Sequence, residues 1–166
     1  PLADRLAREC HVVSPWFICD SPYNLHHTGE AERWPYRGLD GLFETLEKLL
    51  RQADAPTYTY AYYGEIDRLG HEFGIGSPQV AAELAAVDKA LEAFAGRVRG
   101  LDVGVVATAD HGFLDNPPSQ QIQLADHPQL ANALYRPLCG ERRLAYAYVR
   151  PERQAGTIPD PRLHAQ

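Results

Sequence analysis

Two strand-like runs separated by one long helical pattern restrict the fold more than any other feature of this chain. "TYTYAYYG" (57–64) has the β-branched and aromatic content of a strand and stops at Gly64. Ser77-Pro78 then opens a helix. Ser77 suits the N-cap and Pro78 the first helical position, and Val80, Leu84, Val87, Leu91 and Phe94 make an apolar stripe to about Val98. "DVGVVATA" (102–109) follows, an apolar run of the kind buried on both faces of a sheet. Strands separated by helices of this length call for crossover connections, and therefore for a sheet that is at least partly parallel.

The remaining pattern agrees. Residues 2–10 read as the tail of a helix, and "HVVSPWFICD" (11–20) as a strand interrupted by Pro15, with a polar loop through Arg37 behind it. From Asp40, a suitable N-cap, Leu42, Phe43, Leu46, Leu49 and Leu50 share one helical face. A short helix is expected from Asp126 with Gly140 as its stop, and "RRLAYAYVRP" (142–151) as a last strand. The expected class is α/β: a partly parallel sheet flanked by helices. At 166 residues the chain is long enough for one core and not comfortably two, so 1–166 is read as a single domain.

Charge and cysteine usage narrow the function classes. A net charge of −6 without a Lys/Arg cluster argues against a nucleic-acid-binding surface, although Arg143 or Arg150 could fork onto a phosphate. No run of about 18 apolar residues is present, so no membrane span is expected. Cys10, Cys19 and Cys139 are odd in number and widely spaced, which suits apolar fillers in a reducing compartment such as the cytoplasm. The chain starts at Pro1 and has no Met, so it reads as an internal piece of something longer.

In open α/β sheets reactive groups collect just beyond the carboxyl ends of strands. Two expected strands end that way. The first leads into "EIDRLGHEFG", where Asp67 and His71 lie one helical turn apart and can face one cation. The second ends on Asp110-His111-Gly112, and a carboxylate at the end of a buried strand is costly unless it is paired or bound to a cation. Asp with His suits Zn²⁺, and also Mn²⁺ or Fe.

Other candidates have plainer readings. Asp126-His127 precedes Pro128 and opens a helix, so Asp126 is most simply a cap. Asp20 and Thr28 imitate a ligand and a nucleophile at short spacing, Thr108 is a β-branched filler, and Asp88 lies off the apolar stripe. His26-His27 reads as a solvated pair, and His164 lies in a featureless tail.

Taken together, "YYGEIDRLGHEFG", the Ser-Pro-started helix carrying "AVDKALEAF", and the apolar run into "ATADHGF" resemble the type I phosphodiesterase/nucleotide pyrophosphatase family of the alkaline phosphatase superfamily. "LADHPQLANALYRPLCGERRLAYAYVRP" resembles the segment that follows Asp-His-Gly in bacterial members. The resemblance covers about Leu39 to Pro151 and implies a partial alkaline-phosphatase-like catalytic domain that hydrolyses phosphodiester or nucleotide-type small molecules. It also implies two divalent ions, zinc first and manganese second. Asp67 and His71 match the motif that holds one ion together with a later His. Asp110 and His111 match the motif that holds the other with an earlier Asp and a nucleophilic Thr.

The family's early Asp, its nucleophilic Thr and its last zinc-binding His have no match here. The resemblance therefore implies that this chain alone is inactive. Phosphoglycerate mutase and phosphopentomutase, superfamily siblings, are rival readings, though mutases of the first kind continue Asp-His-Gly with Asn where this chain has Phe113-Leu114-Asp115. A non-catalytic metal-binding half domain is a third.

Overall fold

A computed structural model describes residues 3–6, 8–120, 122–140 and 144–153. The chain divides into two compact units, Pro1–Asp115 and Asn116–Gln166.

The first unit is an α/β layer, as expected. β1 (Glu9–Pro15), β2 (Glu32–Tyr36) and β3 (Thr57–Ala61) form a parallel sheet in the order β2-β1-β3. β1 is central, and its burial runs through Cys10, His11, Val13, Ser14 and Pro15, which is how a strand covered on both faces reads. Pro35 falls in β2, on the outside of this sheet, where a missing N–H breaks no interior ladder.

α1 (Pro22–Thr28), α2 (Gly38–Gln52), α3 (Glu65–Phe73) and α4 (Pro78–Arg97) connect and flank the strands. Val13, Tyr36, Leu42 and Leu49 form one buried cluster between sheet and α2. Phe43, Phe94 and Val98 form another between α2 and α4, with the two Phe rings 5.3 Å apart. Ser77 caps α4 by accepting a hydrogen bond from the Val80 amide at 3.3 Å, with Pro78 at the helix start.

Several sequence expectations are corrected. Residues 3–5 form a 3-10 turn, and Glu9 and Cys10 already belong to β1. The stretch expected as a polar loop holds α1 and β2. α2 begins at Gly38 after an extended Arg37, which places Asp40 in the first turn, where a carboxylate faces the positive helix end. On α4 only Val80 and Phe94 of the apolar stripe are buried, and Leu84 is 56% exposed.

The largest correction concerns residues 102–109, which form no strand. Leu101 and Val103 pack against the Phe43–Phe94 cluster, whereas Val106 is 90% exposed. An apolar sequence favours extended backbone, but a strand exists only where a neighbour accepts its ladder, and among the described residues none pairs with this run.

The second unit is small. α5 (Pro128–Ala133) precedes a two-residue antiparallel pair, β4 (Cys139–Gly140) with β5 (Ala145–Tyr146). The Arg150 amide donates to Ala133 O at 2.9 Å and that of Tyr135 to Tyr148 O at 3.0 Å, which closes the unit around buried Ala133 and Leu134. α5 stops well before Gly140: Leu134 is already extended and bridges Val149, and Pro137 bars the helix from resuming. Its N-cap is His127, with Asp126 ending a 3-10 turn. The expected last strand shrinks to β5 and a bridge at Val149, and Arg142 and Arg143 lie outside the described residues, as does His164.

Candidate metal centre

β3 ends at Ala61, and the chain turns through Tyr62, Tyr63 and Gly64 into α3. Asp67 therefore sits in the first turn of α3, where the helix dipole favours a carboxylate, and His71 one turn further on the same face. Asp67 Oδ1 lies 3.5 Å from His71 Nε2. The same oxygen lies 3.6 Å from His111 Nε2, which in turn is 3.8 Å from Asp110 Oδ1. Asp67 thus has both imidazoles beside it at the carboxyl end of β3, and Asp110 joins the group through His111.

Their meeting does not depend on a buried strand end. The Asp110 side chain is 83% exposed, so the desolvation cost expected from an apolar strand is not what brings the groups together. Asp67, His71 and His111 are half-exposed.

The donor types suit a cation, although among the described residues no three of these four bring their ligand atoms within 4.8 Å of one another. His111 Nδ1 lies 3.1 Å from Gly112 O. In the tautomer that donates this N–H, the Nε2 lone pair faces the carboxylates of Asp67 and Asp110. Lone pair against carboxylate is repulsive until a proton or a cation stands between them. Two imidazoles and two carboxylates are also the donor chemistry of zinc and manganese sites.

Tyrosines border the cluster. Burial first, and then the Asp110 carboxylate, push the Tyr60 phenol above its ordinary range. Tyr62 is raised likewise by burial and then by Asp67 and Asp110. Both stay neutral O–H donors at neutral pH. Arg68 is held on the same helix by Glu65 and Glu72 and is not free to fork onto an anion.

Elsewhere the plain readings hold. Asp20 pairs with Arg33 at 3.2 Å, and the buried Thr28 hydroxyl donates to Asn24 O at 2.8 Å, so they form no ligand–nucleophile pair. Exposed His26 and His27 meet edge to face on α1, and His27 lies against the Tyr23 ring. Asp88 is exposed on α4, whereas Thr108, expected as a filler within a strand, is exposed and stands in no strand.

Sequence reasoning missed a second group. Among the described residues, Glu9, His11 and Glu32 bring three ligand atoms within 4.8 Å of one another. His11 and Glu32 are register partners, and Glu9 lies two residues along the same strand face, so the group sits toward the amino ends of β1 and β2. Here Trp34 Nε1–H donates to His11 Nδ1 at 3.3 Å. A cation at Nδ1 would displace that bond, and one at Nε2 would send the ring proton to Nδ1, against the indole N–H. This set is compact, but its imidazole is already engaged.

Comparison with curated proteins and with solved structures finds no match. The family model described as type I phosphodiesterase / nucleotide pyrophosphatase matches residues 8–165, nearly the whole chain and both units. The chain therefore belongs to the type I phosphodiesterase/nucleotide pyrophosphatase family, whose members hydrolyse phosphodiester and nucleotide substrates.

Proposed function

We propose that this chain is the metal-ligand part of a catalytic domain that hydrolyses phosphoric esters at a two-metal site. Asp67 and His71 contribute to one ion and Asp110 and His111 to the other. The observation that carries the reading is the double approach to Asp67 Oδ1, with His71 Nε2 at 3.5 Å and His111 Nε2 at 3.6 Å. Zinc is the ion that the donor set suits first, manganese second. Bound divalent ions supply Lewis acidity toward a phosphoryl oxygen.

The chain's own residues do the rest. Asp67 faces both imidazoles and sets the spacing between the two ligand pairs. The phenols of Tyr60 and Tyr62, raised by burial first and then by the nearby carboxylates, remain neutral O–H groups bordering the site. No Thr here matches the family's nucleophile, so the 166-residue chain alone turns over no substrate. The family match across both units supports reading them as parts of one catalytic domain.

Phosphorus NMR of dimethyl phosphate with the Mn²⁺-loaded chain tests this. The phosphodiester line broadens with the unsubstituted chain and much less with Asp67→Ala, while bis-p-nitrophenyl phosphate is not hydrolysed. Equal broadening with Asp67→Ala contradicts the site. Robust hydrolysis abolished by Asp110→Ala contradicts the claim that the chain alone is inactive.

A further inference from the structure

Neither strand nor helix holds Asp110 and His111, because residues 102–117 carry no regular element. Two contacts fix them to α3 instead. The half-buried Phe113 ring lies edge-on to both imidazoles, with centroids 5.3 Å from His71 and 5.1 Å from His111. It covers buried Gly70, where a Cβ would stand 3.2 Å from the ring. Just beyond the helix, Asp115 Oδ1 accepts the Ile75 amide at 2.9 Å. Gly74 there has φ 85°, and a Cβ on it would stand 3.1 Å from the same carboxylate oxygen. Leu114, between the two contacts, is 90% exposed, so general apolar packing does not hold this loop.

We infer that Phe113 and Asp115 are positioning residues: a two-point clasp that holds the Asp110-His111 loop against the Asp67–His71 turn. This rests on the metal reading above. The clasp acts on affinity because a loop already held on α3 is ordered before an ion arrives. Each residue that must instead be ordered on binding lowers affinity by about tenfold. Phe113 also lies edge-on to both imidazole rings at once, from the side of the loop, as Asp67 approaches both from α3.

The test uses the whole chain and two readouts. Zn²⁺ affinity is measured by competition with a chromophoric chelator. NMR of the metal-free protein follows Ile75 amide exchange and the ring-proton shifts of His71 and His111. Phe113→Ala and Asp115→Ala should each weaken Zn²⁺ binding by at least about tenfold. Asp115→Asn, which keeps an acceptor oxygen, should restore most of it. Asp115→Ala should also remove Ile75 protection, and Phe113→Ala the ring-current shifts of both histidines. Gly70→Ala presses a Cβ against the Phe113 ring without deleting it, so Zn²⁺ affinity should fall and both histidine shifts change, with Tm measured alongside to separate positioning from stability.

Unchanged Ile75 exchange in Asp115→Ala, or unchanged histidine shifts in Phe113→Ala, overturns the clasp whether or not zinc binds. So does a Zn²⁺ affinity that merely follows Tm across the set. Asp67→Ala distinguishes the two levels: if it leaves Zn²⁺ affinity intact, the metal reading fails, and the clasp is then judged on the NMR readouts alone.

Discussion

Tyr36 shows how much one buried polar atom decides in this structure. Its ring is 6% exposed in the sheet–α2 core, and its hydroxyl donates to Tyr62 O at 2.8 Å, at the turn that leads into α3. Burial, then Tyr62 and Glu65, push its phenol up to about 12. The folded chain thus keeps Tyr36 protonated where the unfolded chain ionises, so its stabilisation is complete below about pH 10 and is lost as pH rises through 12. Urea midpoints should fall between about pH 10 and about pH 12. Tyr36→Phe should cost about 1 kcal/mol at neutral pH and flatten that fall. At this scale the four site residues were legible from type and spacing. Phe113 and Asp115 were not, since one aromatic and one carboxylate after a loop carry no period, and only their contacts with Gly70 and Ile75 show what they do.

Helix starts are the clearest element signals in this chain. Ser77-Pro78 marks α4, and the same pair at Ser21-Pro22 marks α1, where Ser21 accepts from the Asn24 amide at 3.3 Å. α1 nevertheless hid inside a stretch rich in His, Tyr and Pro because its exposed face gives no apolar stripe. Ser77→Ala should destabilise the first unit by about 1 kcal/mol in urea titrations. Phe94→Ala, which empties the contact with Phe43 between α4 and α2, should cost about 3–5 kcal/mol. The run 102–109 fails for the opposite reason: its composition fits a strand, but strand formation depends on a partner that composition does not contain.

For the whole molecule, the order of strands and helices gave the α/β class and the parallel sheet, because crossover length constrains strand direction. It also gave the carboxyl end of β3 as the place to look for chemistry. It did not show that the chain divides at Asp115, directly after the Asp-His-Gly loop. All three cysteines are free, and no helix among the described residues is long and apolar enough to cross a membrane. Two ligand clusters lie at different places on the sheet: Asp67, His71, Asp110 and His111 beyond β3, and Glu9, His11 and Glu32 toward the amino ends of β1 and β2. Calorimetric titration with Zn²⁺ decides between them. The account predicts that Ala at Asp67, His71 or His111 each weakens binding by at least about tenfold, as loss of one charge-assisted ligand should. The double variant Glu9→Gln/Glu32→Gln should bind like the unsubstituted chain. Full binding after the first three substitutions, or binding lost only in the double variant, would place the metal elsewhere and contradict it.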